Sequence, residues 1–204
     1  MINRGIYNKK EIGVFSGSFN PIHNGHLMLA NYICEFTGLD EVWMVVTPQN
    51  PLKKSISLLE DEKRLKMVQM ALKNYKKIKA SDIEFQMPRP SYTINTLTRL
   101  AKDNPNKNFS LIIGADNWML FNKWKNYETI LNRFKVLVYP RLNADLSIPE
   151  FLKKQVNLVN APIIDVSSTF IRKGIAEGLN MRAFVPEMVY DYIEENQLYY
   201  SINR

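Results

Sequence analysis

The chain has 204 residues, 46% of them hydrophobic and 23% charged, which suits one domain with a sizeable core and excludes a disordered chain. Its net charge of +7 favours an anionic partner without choosing among nucleic acid, acidic lipid and phosphorylated small molecules. A single cysteine rules out an internal disulfide framework. No apolar run reaches the length of a membrane span, and residues 1–10 lack the apolar core of a signal peptide, so a cytoplasmic protein is expected. The basic residues fall in short clusters such as Lys53-Lys54, with no long basic arm, which argues against nucleic acid.

Taken in order, Ile12 to Phe15 predicts a short buried strand and Leu27 to Phe36 an apolar-periodic helix. Glu41 to Thr47 predicts a second strand, closed by a loop over Pro48 to Lys54. Leu65, Val68, Leu72 and Tyr75 mark one face of a helix within 59–75. Ile78 to Phe85 is a weaker strand candidate, and Thr93 is placed to cap a helix over 94–102. Phe109 to Ile113 and Phe134 to Tyr139 predict further strands, with a helical stretch around Trp118 to Trp124 and a short helix over 127–131 between them. A helix over 148–154, a last strand over 161–166 and helices over 169–177 and 186–197 complete the reading. Strands alternating with helices argue for an α/β, Rossmann-like, doubly wound and mainly parallel sheet with helices on both faces. The expected organisation is one domain over 1–204, with the C-terminal helices from about 168 as a small subregion. No internal repeat is visible.

In such sheets ligands bind beyond the carboxyl ends of the strands. Here those ends collect Ser16-Gly17-Ser18, Pro48-Gln49-Asn50, Gly114-Ala115-Asp116, Tyr139-Pro140-Arg141 and Ser167-Ser168-Thr169. The first is the most informative. A strand that turns through Gly17, Ser18, Phe19, Asn20 and Pro21 into a helix start offers backbone N–H groups at the positive end of a helix dipole, which suits a phosphate. His23 and His26, the only histidines, are three apart and can face the same way in a first helical turn. A plain turn with two capping histidines is the competing reading. A structural zinc site fails on ligand count. In Ser167-Ser168-Thr169-Phe170-Ile171-Arg172-Lys173, Ser167 or Ser168 can cap a helix. Arg172 and Lys173 then oppose the helix dipole unless an anion is bound; the planar, multi-donor guanidinium makes Arg172 the better phosphate ligand.

His23-Asn24-Gly25-His26, preceded by Gly17-Ser18-Phe19-Asn20-Pro21, resembles the signature of the His-x-Gly-His nucleotidyltransferase family. Ser-Ser-Thr-x-x-Arg, ending at Arg172, is similar to that family's second signature. Pro90 to Leu97, the Gly114-Ala115-Asp116 stretch followed by Trp124, and the Pro48 to Lys53 loop resemble the bacterial nicotinate-nucleotide adenylyltransferases within it. That loop is a residue tighter than in some relatives, which shifts the register of Asn50 and Lys53 by up to one position.

The resemblance implies transfer of AMP from ATP to nicotinic acid mononucleotide, giving the deamido dinucleotide and pyrophosphate. It implies His23, His26 and Arg172 as catalytic phosphate donors. Gly17, Ser18, Phe19, Gly114, Asp116, Ser168 and Thr169 would join them around ATP. Asn50, Lys53, Tyr92, Thr93, Trp124 and Arg141 would hold the mononucleotide. Mg²⁺ would arrive with ATP, with no protein metal ligand named. The attacking phosphate monoester is already largely a dianion at neutral pH, so no general base is needed. Alternatives stay open: the same chemistry on the amide mononucleotide or another phosphomonoester, or a nucleotide-binding protein without turnover. Trp118, Phe121 and Trp124 also read as core at near-helical spacing. Asp116 reads equally as a ribose contact or a helix cap, and Arg141 as a phosphate contact or a solvated cation. The sequence leaves a homo-oligomer open.

Overall fold

The computed structural model describes residues 9–48, 58–142, 144 and 147–200. Its strands are β1 (Lys10–Gly17), β2 (Glu41–Val46), β3 (Ile78–Ser81), β4 (Lys107–Gly114), β5 (Lys135–Tyr139) and β6 (Val156–Leu158). They form one sheet in the order β3-β2-β1-β4-β5-β6, with every pair parallel. The helices are α1 (Asn24–Phe36), α2 (Asp61–Ala71), α3 (Thr93–Asp103), α4 (Ala115–Trp118), α5 (Tyr127–Arg133), α6 (Ser168–Ala176) and α7 (Glu187–Glu195). The strand order reverses between β1 and β4. Connections leave their carboxyl ends in opposite directions there and open a crevice, the usual place for a ligand in this architecture.

Two cores sandwich the sheet, as a doubly wound fold requires. Phe15, Val42, Met44, Val46, Ile112 and Leu137 pack with Leu29, Ile33, Met67, Ile171, Val189 and Ile193 of α1, α2, α6 and α7. Ile12, Val14, Val45, Leu111, Ile113, Val136 and Val138 point the other way, against Leu97 and Leu100 of α3 and Ile130 of α5. Successive strand residues therefore serve opposite layers, which is why these strands read as nearly continuous apolar runs.

At the amino end of the sheet, Glu41 is the pin. Lys10 Nζ, Lys79 Nζ and Trp43 Nε1 donate to its carboxylate at 3.1, 2.9 and 2.9 Å. Burial pushes the carboxyl up, but donation from Trp43, Lys79 and Lys10 outweighs it and holds the group at about 2.

Four expectations need correction. The last strand is Val156–Leu158, not 161–166. Pro162 has no N–H for a ladder, and Ile163 is over half exposed. The strand at Ile78 stops at Ser81, and Ile83–Gln86 forms a 3₁₀ turn that buries Glu84. Thr93 is the first residue of α3; Tyr92 holds the capping position, without a side-chain cap bond. Of the helix expected over 148–154, only a 3₁₀ turn at Glu150–Leu152 forms.

Candidate active site

The carboxyl end of β1 delivers the chain to a tightly braced loop. Phe19 adopts a left-handed backbone (φ 44°) and turns its ring inward, 1% exposed. The ring lies edge-on to Phe15 and His26, with centroids 6.0 and 5.0 Å away. Any contact of Phe19 with a nucleotide therefore falls to its backbone.

His23 caps α1 and His26 occupies its first turn, so the two rings stack 3.6 Å apart. The His23 backbone N–H donates to His26 Nδ1 at 3.3 Å. That acceptance leaves the proton of a neutral His26 on Nε2. His23 is 4% exposed, and its Nδ1 has no hydrogen-bond partner among the described residues. Burial, and then the charge of Arg141, hold the imidazole down at about 4, so it is neutral at pH 7. Gly25 explains the spacing of the signature. A Cβ there would sit 3.1 Å from His23 Nδ1 and 3.3 Å from Ile164 Cγ2, displacing the histidine ring.

The second signature reaches the same loop although no strand delivers it. Ser167, not Ser168, caps α6, accepting from the Phe170 backbone N–H at 3.2 Å. Ser168 Oγ instead donates to the Pro21 carbonyl at 2.9 Å. Arg172, on the next turn, donates from Nη1 to the Asn20 carbonyl at 2.8 Å and from Nη2 to Thr169 Oγ1 at 3.4 Å. The two signatures, some 150 residues apart, thus form one wall. Lys173 points away, three-quarters exposed and 3.8 Å from Glu177.

Across the crevice, β4 ends at Gly114. A Cβ there would meet Asp116 Oδ1, Tyr139 and Arg141, so the close approach of these groups needs glycine. Asp116 neither caps α4 nor stands alone: its Oδ1 lies 3.8 Å from Arg141 Nε. Arg141 also donates from Nη2 to Tyr139 Oη at 3.4 Å.

The aromatic segment splits as its spacing allows. Phe121 is buried, whereas Trp118 and Trp124 are half-buried against it at 5.3 and 5.2 Å. Trp124 Nε1 is buried and has no hydrogen-bond partner among the described residues. Tyr92 is half-buried, with Lys125 Nζ 4.3 Å from its ring centroid, and Thr93 opens α3 beside it. Asn50 and Lys53 lie outside the described residues.

Sequence reasoning missed several supports. Arg64, fully buried, donates to the carbonyls of Leu59, Ser18 and Thr47 at 3.0, 2.6 and 2.9 Å and pairs with Asp61. It binds the loops after β1 and β2 together. The signal was present: Arg64 lies four residues before Val68, inside the apolar stripe of α2. Asn20 and Tyr199 form another such support. No group of three or more His, Cys, Asp or Glu forms a metal cage among the described residues. Among those residues, no helix is long and apolar enough to cross a membrane.

The cytidylyltransferase-like family matches residues 14–174, which include both signatures. A Bacteroides fragilis protein named "probable nicotinate-nucleotide adenylyltransferase" is 51% identical over 91% of this chain and 92% of its own length. A Flavobacterium johnsoniae protein of the same name is 48% identical over 93% and 98%. Among solved structures, Plasmodium falciparum nicotinic acid mononucleotide adenylyltransferase complexed with NaAD superimposes with a TM-score of 0.77 at 24% identity. The match covers 93% of this chain and 97% of that one, and at this identity it establishes the fold. The fold and paired signatures define a nucleotidyltransferase. Within that class, the chain belongs to the nicotinate-nucleotide adenylyltransferase family.

Proposed function

We infer that the protein transfers AMP from ATP to nicotinic acid mononucleotide, releasing pyrophosphate and forming nicotinic acid adenine dinucleotide. The observation that carries this reading is the single wall built by His23, His26 and Arg172 at the sheet's switch point. The names and extent of the close relatives supply the acceptor.

In this reading the chain works by position and charge. The acceptor phosphate attacks the α-phosphorus in line; the new P–O bond forms as the bond to the β-phosphate oxygen breaks, and the electron pair leaves with pyrophosphate. His26 Nε2–H and the neutral His23 donate to the α- and β-phosphates. Arg172, tied by two of its five N–H donors, keeps the rest for the outer phosphates. Gly17, Ser18 and the Phe19 backbone line the approach, with Gly114, Asp116, Ser168 and Thr169 around the nucleotide. Asn50, Lys53 and Arg141 would hold the acceptor phosphate, and Tyr92, Thr93 and Trp124 its ring. Mg²⁺ arriving with ATP would need no protein ligand and would supply charge neutralisation for the leaving pyrophosphate.

The test is a product assay with ATP and Mg²⁺, offering nicotinic acid mononucleotide and its amide in parallel. Dinucleotide and pyrophosphate formed in equal amounts from the acid, and far more slowly from the amide, is the expected result. Formation from the amide alone, or from neither, would overturn the assignment.

A further inference from the structure

Tyr199 lies well beyond the segment shared with the cytidylyltransferase-like family, yet it reaches into the first signature. It is 7% exposed and donates from Oη to Asn20 Oδ1 at 2.9 Å, across 179 positions of sequence. Burial pushes its phenol up, so the group stays neutral and remains a donor. The backbone is forced to present it. Tyr199 has φ 72°, a left-handed conformation that a bulky residue adopts only when its surroundings hold it there.

Asn20 is the junction. It is 2% exposed. Its side-chain oxygen accepts from Tyr199 and, at 3.4 Å, from the Leu59 backbone N–H. Its carbonyl accepts from Arg172 Nη1 at 2.8 Å. Tyr199 fixes the amide, the amide fixes the peptide, and the peptide anchors the guanidinium. The next residue, Pro21, is held by Ser168. The end of the chain thus reaches both signatures through one residue.

We propose that Tyr199 is a positioning residue for adenylyl transfer, acting through Asn20 on the orientation of Arg172. The proposal rests on the reading of Arg172 as a phosphate donor. A guanidinium whose anchor can rotate still binds phosphate, but loses alignment with the in-line path. The cost therefore falls on turnover rather than on acceptor binding.

The experiment compares Y199F, N20A, the double variant Y199F/N20A and R172A, assayed by pyrophosphate release below the melting temperature of each. Phenylalanine keeps the buried ring and removes only the donor. Y199F is expected to lose about tenfold in kcat, the worth of one hydrogen bond, with the KM for the mononucleotide within about twofold of wild type. N20A is expected to lose at least as much, and the double variant to be no slower than N20A, because both changes break the same link. Full turnover in folded Y199F, losses that multiply in the double variant, or an equal rise in both substrates' KM with kcat unchanged would overturn the proposal. R172A separates the two claims. If R172A is slow while Y199F is not, only the positioning role fails; if R172A turns over normally, the phosphate reading fails with it.

Discussion

The two ends of the sheet hold their cations differently. At the amino end, Lys10 and Lys79 converge on the Glu41 carboxylate, so each cation meets an opposite charge within the protein. At the carboxyl end, Arg172 meets a carbonyl and a hydroxyl and, among the described residues, no carboxylate. Both arrangements hold a side chain in place, but only in the second is the cation held by neutral acceptors alone among the described residues. Arg64 lies between these cases, bonded to three carbonyls and also paired with Asp61. An arginine anchored by neutral acceptors is positioned while keeping its charge, which suits a polyphosphate substrate. Charge balance thus sets Arg172 apart from Lys10 and Lys79 where residue type alone does not, with Arg141, 3.8 Å from Asp116, in between.

That contrast can be broken most severely at His26. As a preorganised donor, its replacement in His26→Ala should lower turnover by ~10²–10³ while the fold persists. Because His26 Nδ1 also accepts from the His23 backbone N–H, a fall in melting temperature large enough to explain the lost turnover would leave helix capping as its only role.

A second test concerns His23. The folded imidazole titrates near 4 and the ordinary value is 6.5. Between those pH values the unfolded chain binds a proton that the folded chain refuses. Stability from this group is therefore complete above about pH 6.5 and is lost as pH falls towards 4, on the order of 3 kcal/mol in all. Urea unfolding across pH 4–7 should show a shallower acid slope for His23→Asn than for wild type; identical slopes would contradict the burial argument.

The smallest effect belongs to the far side of the crevice. Tyr92→Ala removes a half-buried ring that already faces Lys125. It should raise the KM for the mononucleotide several-fold, about 1 kcal/mol, and leave the KM for ATP unchanged. A rise in the KM for ATP instead would move this residue to the other substrate.

The two kinds of information behind these predictions were not equally visible. Strands β1, β2, β4 and β5 were legible because they are buried on both faces and read as apolar runs. Strand β6 was not: three residues at a sheet edge carry too little pattern, and the apolar run after them is interrupted by Pro162. The placement of His23, His26 and Gly25 was legible because it depends on local spacing, now seen as ring stacking and a close approach that a Cβ would crowd. The bracing of the same loop was illegible. Asn20–Tyr199 and Arg172–Asn20 join residues 179 and 152 positions apart, and no spacing rule connects them. Arg64 was the exception, an arginine in a helix's apolar stripe and hence a buried cation in need of acceptors. Asp116 and Arg141 each had two readings from sequence, and their mutual pairing was neither of them.

The most direct measurement sets R172A beside E41A, with turnover and melting temperature recorded for both. R172A is expected to lose turnover by ~10²–10³ and to melt close to wild type. E41A is expected to melt several degrees lower, from the loss of about 1.5–3 kcal/mol of charge-assisted bonding, and to turn over normally while folded. If R172A melted as low as E41A, or turned over at the wild-type rate, the cation at the carboxyl end would be another pin and the site would lie elsewhere.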